Sequence, residues 1–241
     1  MKEKNMANTI SKFAQKHRVG DWCKPILDDV EKPPVLKFGK LDVPAMCDNR
    51  NYCTPVEDQG SKPWCAAYTA AAFAENVLWR RDGRIKQIEP DWIYKYAKQH
   101  DGDPLGDGTT LNCVLDALMA KDVFDPGICS IRRVGRGWHG TDELDVKAAI
   151  HRFGCFLAGF NITEEWYKLS LRNVFEIRGE KSASMGGHAV LVCGYTPKGV
   201  WIENSWGASW GYHGFGFMSW EAFREQYMYG TVLTNCLNGF K

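Results

Sequence analysis

At 241 residues, with 44% hydrophobic and 13% aromatic side chains, the chain can bury a sizeable core as one large domain or two lobes. Its 30 basic and 29 acidic side chains leave a formal charge of +1, which gives no net field to favour nucleic acid or an anionic membrane as partner. No apolar run reaches the ~20 residues of a membrane span, and the opening MKEKNMANTISKFAQKH lacks an apolar stretch of signal-peptide length.

Residues 1–41 read as an N-terminal extension. Ile10, Phe13, Ala14 and His17 sit at helical spacing, and the prolines of the later KPPVLKFG favour extended backbone. The main domain is expected over 42–241. Its first strong signal is residues 59–74, QGSKPWCAAYTAAAFA, where a turn-prone opening runs into an Ala-rich stretch. Ser61 or Lys62 suits a cap and Pro63 a first turn, so a helix is expected to start here and run to about Arg81. Cys65 then falls in the first turn. There the unpaired N–H groups and the helix dipole favour a thiolate over a thiol, whose ordinary pKa is about 8.5.

Pro90 opens a second helix with Ile93, Tyr96 and Ala97 on one face. The glycine-rich GDPLGDGTT leads into a third helix carrying Leu111, Val114, Leu115 and Leu118 inward. Residues 129–140 read as loop. Thr141 or Asp142 caps a further helix with Val146, Ala149, Ile150 and Phe153 inward, stopped by Gly154. CFLAGFNI, HAVLVCGY, GVWIEN and FGFMSW read as strands. Helices followed by strands make an α+β chain.

Nine cysteines are present; besides Cys65 they are Cys23, Cys47, Cys53, Cys113, Cys129, Cys155, Cys193 and Cys236. Cys155 and Cys193 lie in apolar runs and read as buried free thiols. The Cys47–Cys53 spacing fits no common zinc pattern, so no metal and no cofactor is expected. A reduced, cytoplasmic compartment is favoured, with export by a non-classical route as the alternative. Of six histidines, His17, His100, His139, His151 and His213 are expected to face solvent. His188 differs, following Gly186–Gly187 and opening an apolar strand. If residues 189–195 and 200–204 pair about a turn centred near 196, His188 faces Asn204, whose oxygen could orient the imidazole.

Gln59 six residues before Cys65, His188 in GGHAVLVCGY and Asn204 in WIENSWGASWG together resemble the papain-like cysteine peptidases, over roughly residues 42–232. The resemblance implies a two-lobe fold, with a helical lobe (about 54–140) and an antiparallel β-barrel-like lobe (about 141–241) meeting at a cleft. It implies that Cys65 is the nucleophile, His188 the base and Asn204 its orienter, and that the Gln59 amide helps hold the oxyanion. Trp206 is then the indole that shields the His–Asn bond, and Trp210 extends that wall on the leaving-group side. Gly106 and Gly108 line the cleft, although both also serve as plain loop punctuation. Thr110, Leu111, Gly187 and Met228 line the pocket for the residue two before the cut. Secreted members carry a cysteine where Lys62 stands, and Trp64 and Ala66 depart from the usual small residue and Trp around the nucleophile. Trp64 must point away from the cleft or narrow it. The implied substrate is a peptide or protein, cleaved through an acyl-enzyme by a protein that is a monomer by expectation. A transpeptidase using the same acyl-enzyme, or a silent binding module, are the alternatives. Residues 1–41 are then a surface strap or a plug across the cleft.

Overall fold

The structure is a computed structural model that describes residues 16–17, 34–38, 42–135, 141–169, 175–179 and 182–236. Helix α1 (Cys65–Asp82) is buried along most of its length, because its run of alanines lets neighbours approach from several sides. Cys65 is its first residue. The cap position is Trp64, with no side-chain cap bond, so the helix starts later than Ser61, Lys62 and Pro63 suggested. Gly83, at φ 67°, ends it in the left-handed region. Helix α2 (Pro90–His100) begins on its proline, and α3 (Leu111–Ala120) is capped by Thr110, whose hydroxyl accepts from the Cys113 N–H. Helix α4 (Glu143–Phe153) has Asp142 as its cap and stops at Gly154, where a Cβ would strike the Arg80 guanidinium.

The strands are β1 (Cys47–Asp48), β2 (Ser130–Arg133), β3 (Phe156–Thr163), β4 (Glu176–Ile177), β5 (Ser184–Thr196), β6 (Gly199–Glu203), β7 (Phe215–Ser219) and β8 (Tyr227–Thr234). They form one sheet in the order β2-β8-β3-β5-β6-β7-β4, with β1 on β5. All pairs are antiparallel except β4 with β7. Two short helices, α5 (Glu164–Lys168) and α6 (Trp220–Gln226), interrupt the strands, and Ser219 caps α6 through the Ala222 N–H. The fold is α+β, as expected. Helix α1 lies against β5, which sets the first helical residue beside the strand that carries His188.

Three details differ from the sequence reading. Residues 130–133 are a strand and not loop, since SIRR pairs with β8 from Ser130↔Thr234 to Arg133↔Thr231. The β5–β6 turn is Pro197–Lys198, and the ladder runs Thr196↔Gly199 to Leu191↔Glu203 through a bulge, not about a centre at 196. The described part of KPPVLKFG lies along the outer edge of β2: Leu36 N–H donates to Arg133 O at 2.9 Å, and Arg133 N–H to Pro34 O at 3.1 Å. Ile10, Phe13, Ala14, Cys23 and His139 lie outside the described residues. No described helix is long and apolar enough to cross a membrane.

Candidate active site

Cys65 enters the site from the start of α1 and is 6% exposed. Its thiol accepts from the Ala189, Ala66 and Cys65 backbone N–H groups, which favour a thiolate. Burial nevertheless dominates and pushes the thiol above its ordinary value, so the helix start does not yield the lowered pKa expected of it. The Ala189 N–H places the sulfur next to His188 along β5.

His188 is fully buried. Its Nε2–H donates to Asn204 Oδ1 at 2.7 Å, while Nδ1 has no hydrogen-bond partner among the described residues. Asn204 reaches this position by leaving β6, its N–H donating to Gly214 O at 3.0 Å. The contact therefore forms without the pairing the hairpin arithmetic assumed. Asn204 Oδ1 also accepts from the Ser205 N–H at 2.8 Å, which fixes which end of the amide faces the imidazole. Burial pulls the His188 pKa down to about 4; the Asn204 bond opposes this and the charge of His17 adds to it.

Gln59 sits in a loop pinned to the same segment. Its N–H donates to Ser205 O at 2.8 Å, Gly207 N–H donates to Glu57 O at 3.0 Å, and Asp58 bridges Trp206. Its side-chain amide is held at both ends, donating to Lys62 O at 2.8 Å and accepting from the Ser205 hydroxyl at 2.5 Å. The role of Ser205 was missed from sequence, although its residue stood inside the Asn-Ser-Trp-Gly segment.

Aromatic rings close over the imidazole. Trp206 lies 4.8 Å from His188 and stacks on Tyr167 at 5.0 Å and 9°, and the edge of Trp166 meets His188 at 6.0 Å. Nothing in the sequence pattern singled out Tyr167. Trp210 is fully buried behind this layer and donates its indole N–H to Trp166 O at 2.8 Å, so it supports the wall and offers no face to a leaving group. Trp64 stacks on Tyr94 of α2 at 4.6 Å, beside the Gly108 backbone.

Of the expected cleft residues, Thr110 and Leu111 start α3, Gly187 lies in β5 and Met228 in β8. The Tyr229 hydroxyl donates to Asn112 Oδ1 at 2.8 Å and so brings the starts of β8 and α3 together. Gly106 is wrapped by Asp103, whose carboxylate a Cβ there would strike; Gly108, at φ 77°, needs the left-handed freedom of glycine. Both thus have a loop role.

His17 departs most from expectation. It is fully buried and not solvent-facing, its Nε2 3.0 Å from Asp58 Oδ1 and its ring 5.7 Å from Trp206. Lys16 Nζ reaches the other Asp58 oxygen at 3.0 Å. Burial raises the Asp58 carboxyl, but the Gly60 N–H, Lys16 and His17 together outweigh it and leave the pKa lowered. No group of three His, Cys, Asp or Glu among the described residues could hold a metal ion.

Comparison with known proteins agrees with this geometry. The model of the papain family of cysteine proteases matches residues 88–229. Cathepsin K of Gallus gallus is 29% identical over 193 residues, covering 71% of this chain and 58% of the relative. Cathepsin K of Mus musculus is 27% identical over 206 residues, covering 73% and 60%. The chain therefore spans less than two thirds of the length of these relatives. Among solved structures, xylellain, a cysteine protease from Xylella fastidiosa, superposes with a TM-score of 0.67 at 20% identity, covering 90% of this chain and 96% of its own. The ragweed pollen cysteine protease Amb a 11, in its proform, gives 0.71 at 18% identity, covering 93% and 76%.

Proposed function

The chain belongs to the papain family of cysteine proteases, and on that premise we propose that it is an endopeptidase cleaving peptide bonds with Cys65 as nucleophile and His188 as base. The observation that carries the reading is the 2.7 Å bond from His188 to Asn204 in a ring whose other nitrogen has no partner among the described residues, beside a thiol held by the next residue's N–H. The Cys65 proton passes to His188, and the sulfur attacks the scissile carbonyl carbon. The oxyanion takes hydrogen bonds from the Gln59 side-chain amide and the Cys65 N–H, each such donor contributing on the order of 3 kcal/mol. His188 then protonates the leaving amine, and the same ring activates the water that opens the thioester. Asn204 holds the ring and Trp206 keeps water from that bond. Leu111, Thr110, Gly187 and Met228 make the pocket for an apolar side chain two residues before the cut.

The segment carrying Lys16 and His17 restrains this site. It ties to Asp58, the neighbour of Gln59, and buries His17 against Trp206, while Cys65 and His188 are both out of solvent. A nucleophile and base that must meet a substrate carbonyl cannot work in that state.

The test is labelling with a peptidyl epoxide, mapped by mass spectrometry, beside hydrolysis of a peptide panel. Label on Cys65, and a folded Cys65→Ala variant without hydrolysis, are the expected results. Hydrolysis by Cys65→Ala at the wild-type rate overturns the proposal. Transfer of the acyl group to an added amine in place of water would mark a transpeptidase.

A further inference from the structure

The last described residues carry a feature that peptide hydrolysis does not use. Cys129 and Cys236 are separated by 107 positions, yet their sulfurs lie 2.8 Å apart, both residues 7% exposed. Two unbonded sulfurs do not rest comfortably at that separation.

The backbone on each side holds them there. Ser130 and Thr234 are register partners at the end of the β2–β8 ladder, and the Thr234 hydroxyl donates to Ser130 O at 3.2 Å. Just past the ladder, Asn235 adopts a φ of 66°, which turns the chain and brings the Cys236 sulfur to Cys129. Asparagine tolerates that left-handed conformation better than most residues. Its side-chain amide donates to Ile128 O at 3.3 Å, and the Cys129 N–H donates to Asp125 O at 2.8 Å. The two cysteines are thus presented to each other by fixed backbone, so bridging them asks for little movement. Cys53 and Cys193 also touch, but the Cys53 sulfur is engaged by Asn49 O and the Asn76 amide.

We propose that Cys129 and Cys236 form a disulfide, with a small-molecule disulfide such as oxidised glutathione as the oxidant. One protein thiol loses its proton and attacks a glutathione sulfur, releasing one glutathione thiolate that takes up a proton. The second protein thiolate then attacks the mixed disulfide at the protein sulfur and releases the other glutathione. The two protein thiols lose two protons and two electrons, and oxidised glutathione takes them up to become two reduced molecules. Burial and the neighbouring Cys129 push the Cys236 thiol up, and Arg81, close enough to act on both sulfurs by charge, offsets part of this. The link encloses every strand from β2 to β8 in one covalent loop and secures the outer edge strand of the sheet. A loop this long restricts the unfolded chain strongly.

The full-length Cys65→Ala protein, which removes both the reactive nucleophile and self-cleavage, is incubated in oxidised glutathione, blocked with N-ethylmaleimide and digested without reduction. The expected product is a Cys129–Cys236 peptide pair two hydrogens lighter than its parts, lost on reduction. The denaturant midpoint should rise on oxidation, and should not rise in the same protein carrying Cys236→Ala or Cys129→Ala. Maleimide or a single glutathione on each of the two cysteines, with no joined peptide, overturns the proposal. So does a joined peptide that pairs either of them with a different cysteine.

Discussion

Replacing His17 by alanine should raise activity by uncovering the site. In the covered state the imidazole is fully buried, donates from Nε2–H to Asp58 Oδ1 at 3.0 Å, and lies 5.7 Å from Trp206. A hydrogen bond to a charged carboxylate contributes about 1.5–3 kcal/mol, so its loss shifts the covered–uncovered balance by roughly 10- to 150-fold. Lys16 serves as the comparison. Its ammonium side chain is 61% exposed against 38% for Asp58, and such a pair contributes about 0–1 kcal/mol, so Lys16→Ala should change the balance by about fivefold at most. Two readouts follow the same equilibrium: kcat/KM on a short fluorogenic peptide, and the rate at which iodoacetamide alkylates Cys65. His17→Ala should raise both, up to the point where the uncovered form dominates, and Lys16→Ala should barely move them. Asp58→Asn combined with His17→Ala should do no more than the stronger single change, because both remove one contact. A folded His17→Ala protein with both rates unchanged would refute the reasoning.

Asn204→Ala should lower kcat/KM far less than Cys65→Ala, since Asn204 orients the ring and does not react; equal loss in a folded variant contradicts that role. Ser205→Ala removes the 2.5 Å bond to the Gln59 carbonyl oxygen, which is worth about 1 kcal/mol, so kcat should fall about fivefold with KM little changed, as steady-state kinetics will read. Burial holds the Glu203 carboxyl well above its ordinary value of 4.5, so the stability that its neutral form carries is complete below that value and is lost as pH rises toward the folded pKa. Denaturant titrations should accordingly show Glu203→Gln gaining on the wild type between pH 5 and pH 8; a difference that shrinks over that interval speaks against a buried neutral carboxyl.

How much of this was legible depended on how far each contact reaches. Cys65, His188, Asn204 and Gln59 each sat in a short signature, and the helices over 90–100, 111–120 and 143–153 announced themselves by proline, capping residues and apolar spacing. The β5–β6 register did not, because it depends on a bulge between Val192 and Gly194 that no residue pattern marks. SIRR carries no alternation to reveal β2, whose four residues are all half-buried. Tyr167 and His17 become meaningful only when distant segments bring their rings to Trp206. The polar neighbours of His17 in sequence pointed to solvent, and tertiary contacts reversed that reading.

Burial explains why the helix start fails to make Cys65 acidic here. Dipole and cap contacts contribute about 0.3–1 kcal/mol, rising to ~2 in partly buried geometries. Burial acts on the two reactive groups in opposite directions, raising the Cys65 thiol and drawing His188 down to about 4. Both shifts oppose moving the proton from thiol to imidazole, and the helix start does not offset them. Burial thus favours the neutral form of both groups. Hydration on uncovering brings the two pKa values toward each other and lets the thiolate–imidazolium pair form. Because the covered state binds only the protonated thiol well, it must raise the apparent pKa of Cys65 in proportion to its population. The pH profile of Cys65 alkylation should thus have a lower midpoint in His17→Ala than in the wild type. An unchanged or higher midpoint in the variant would mean that the cover does not set the protonation of the nucleophile.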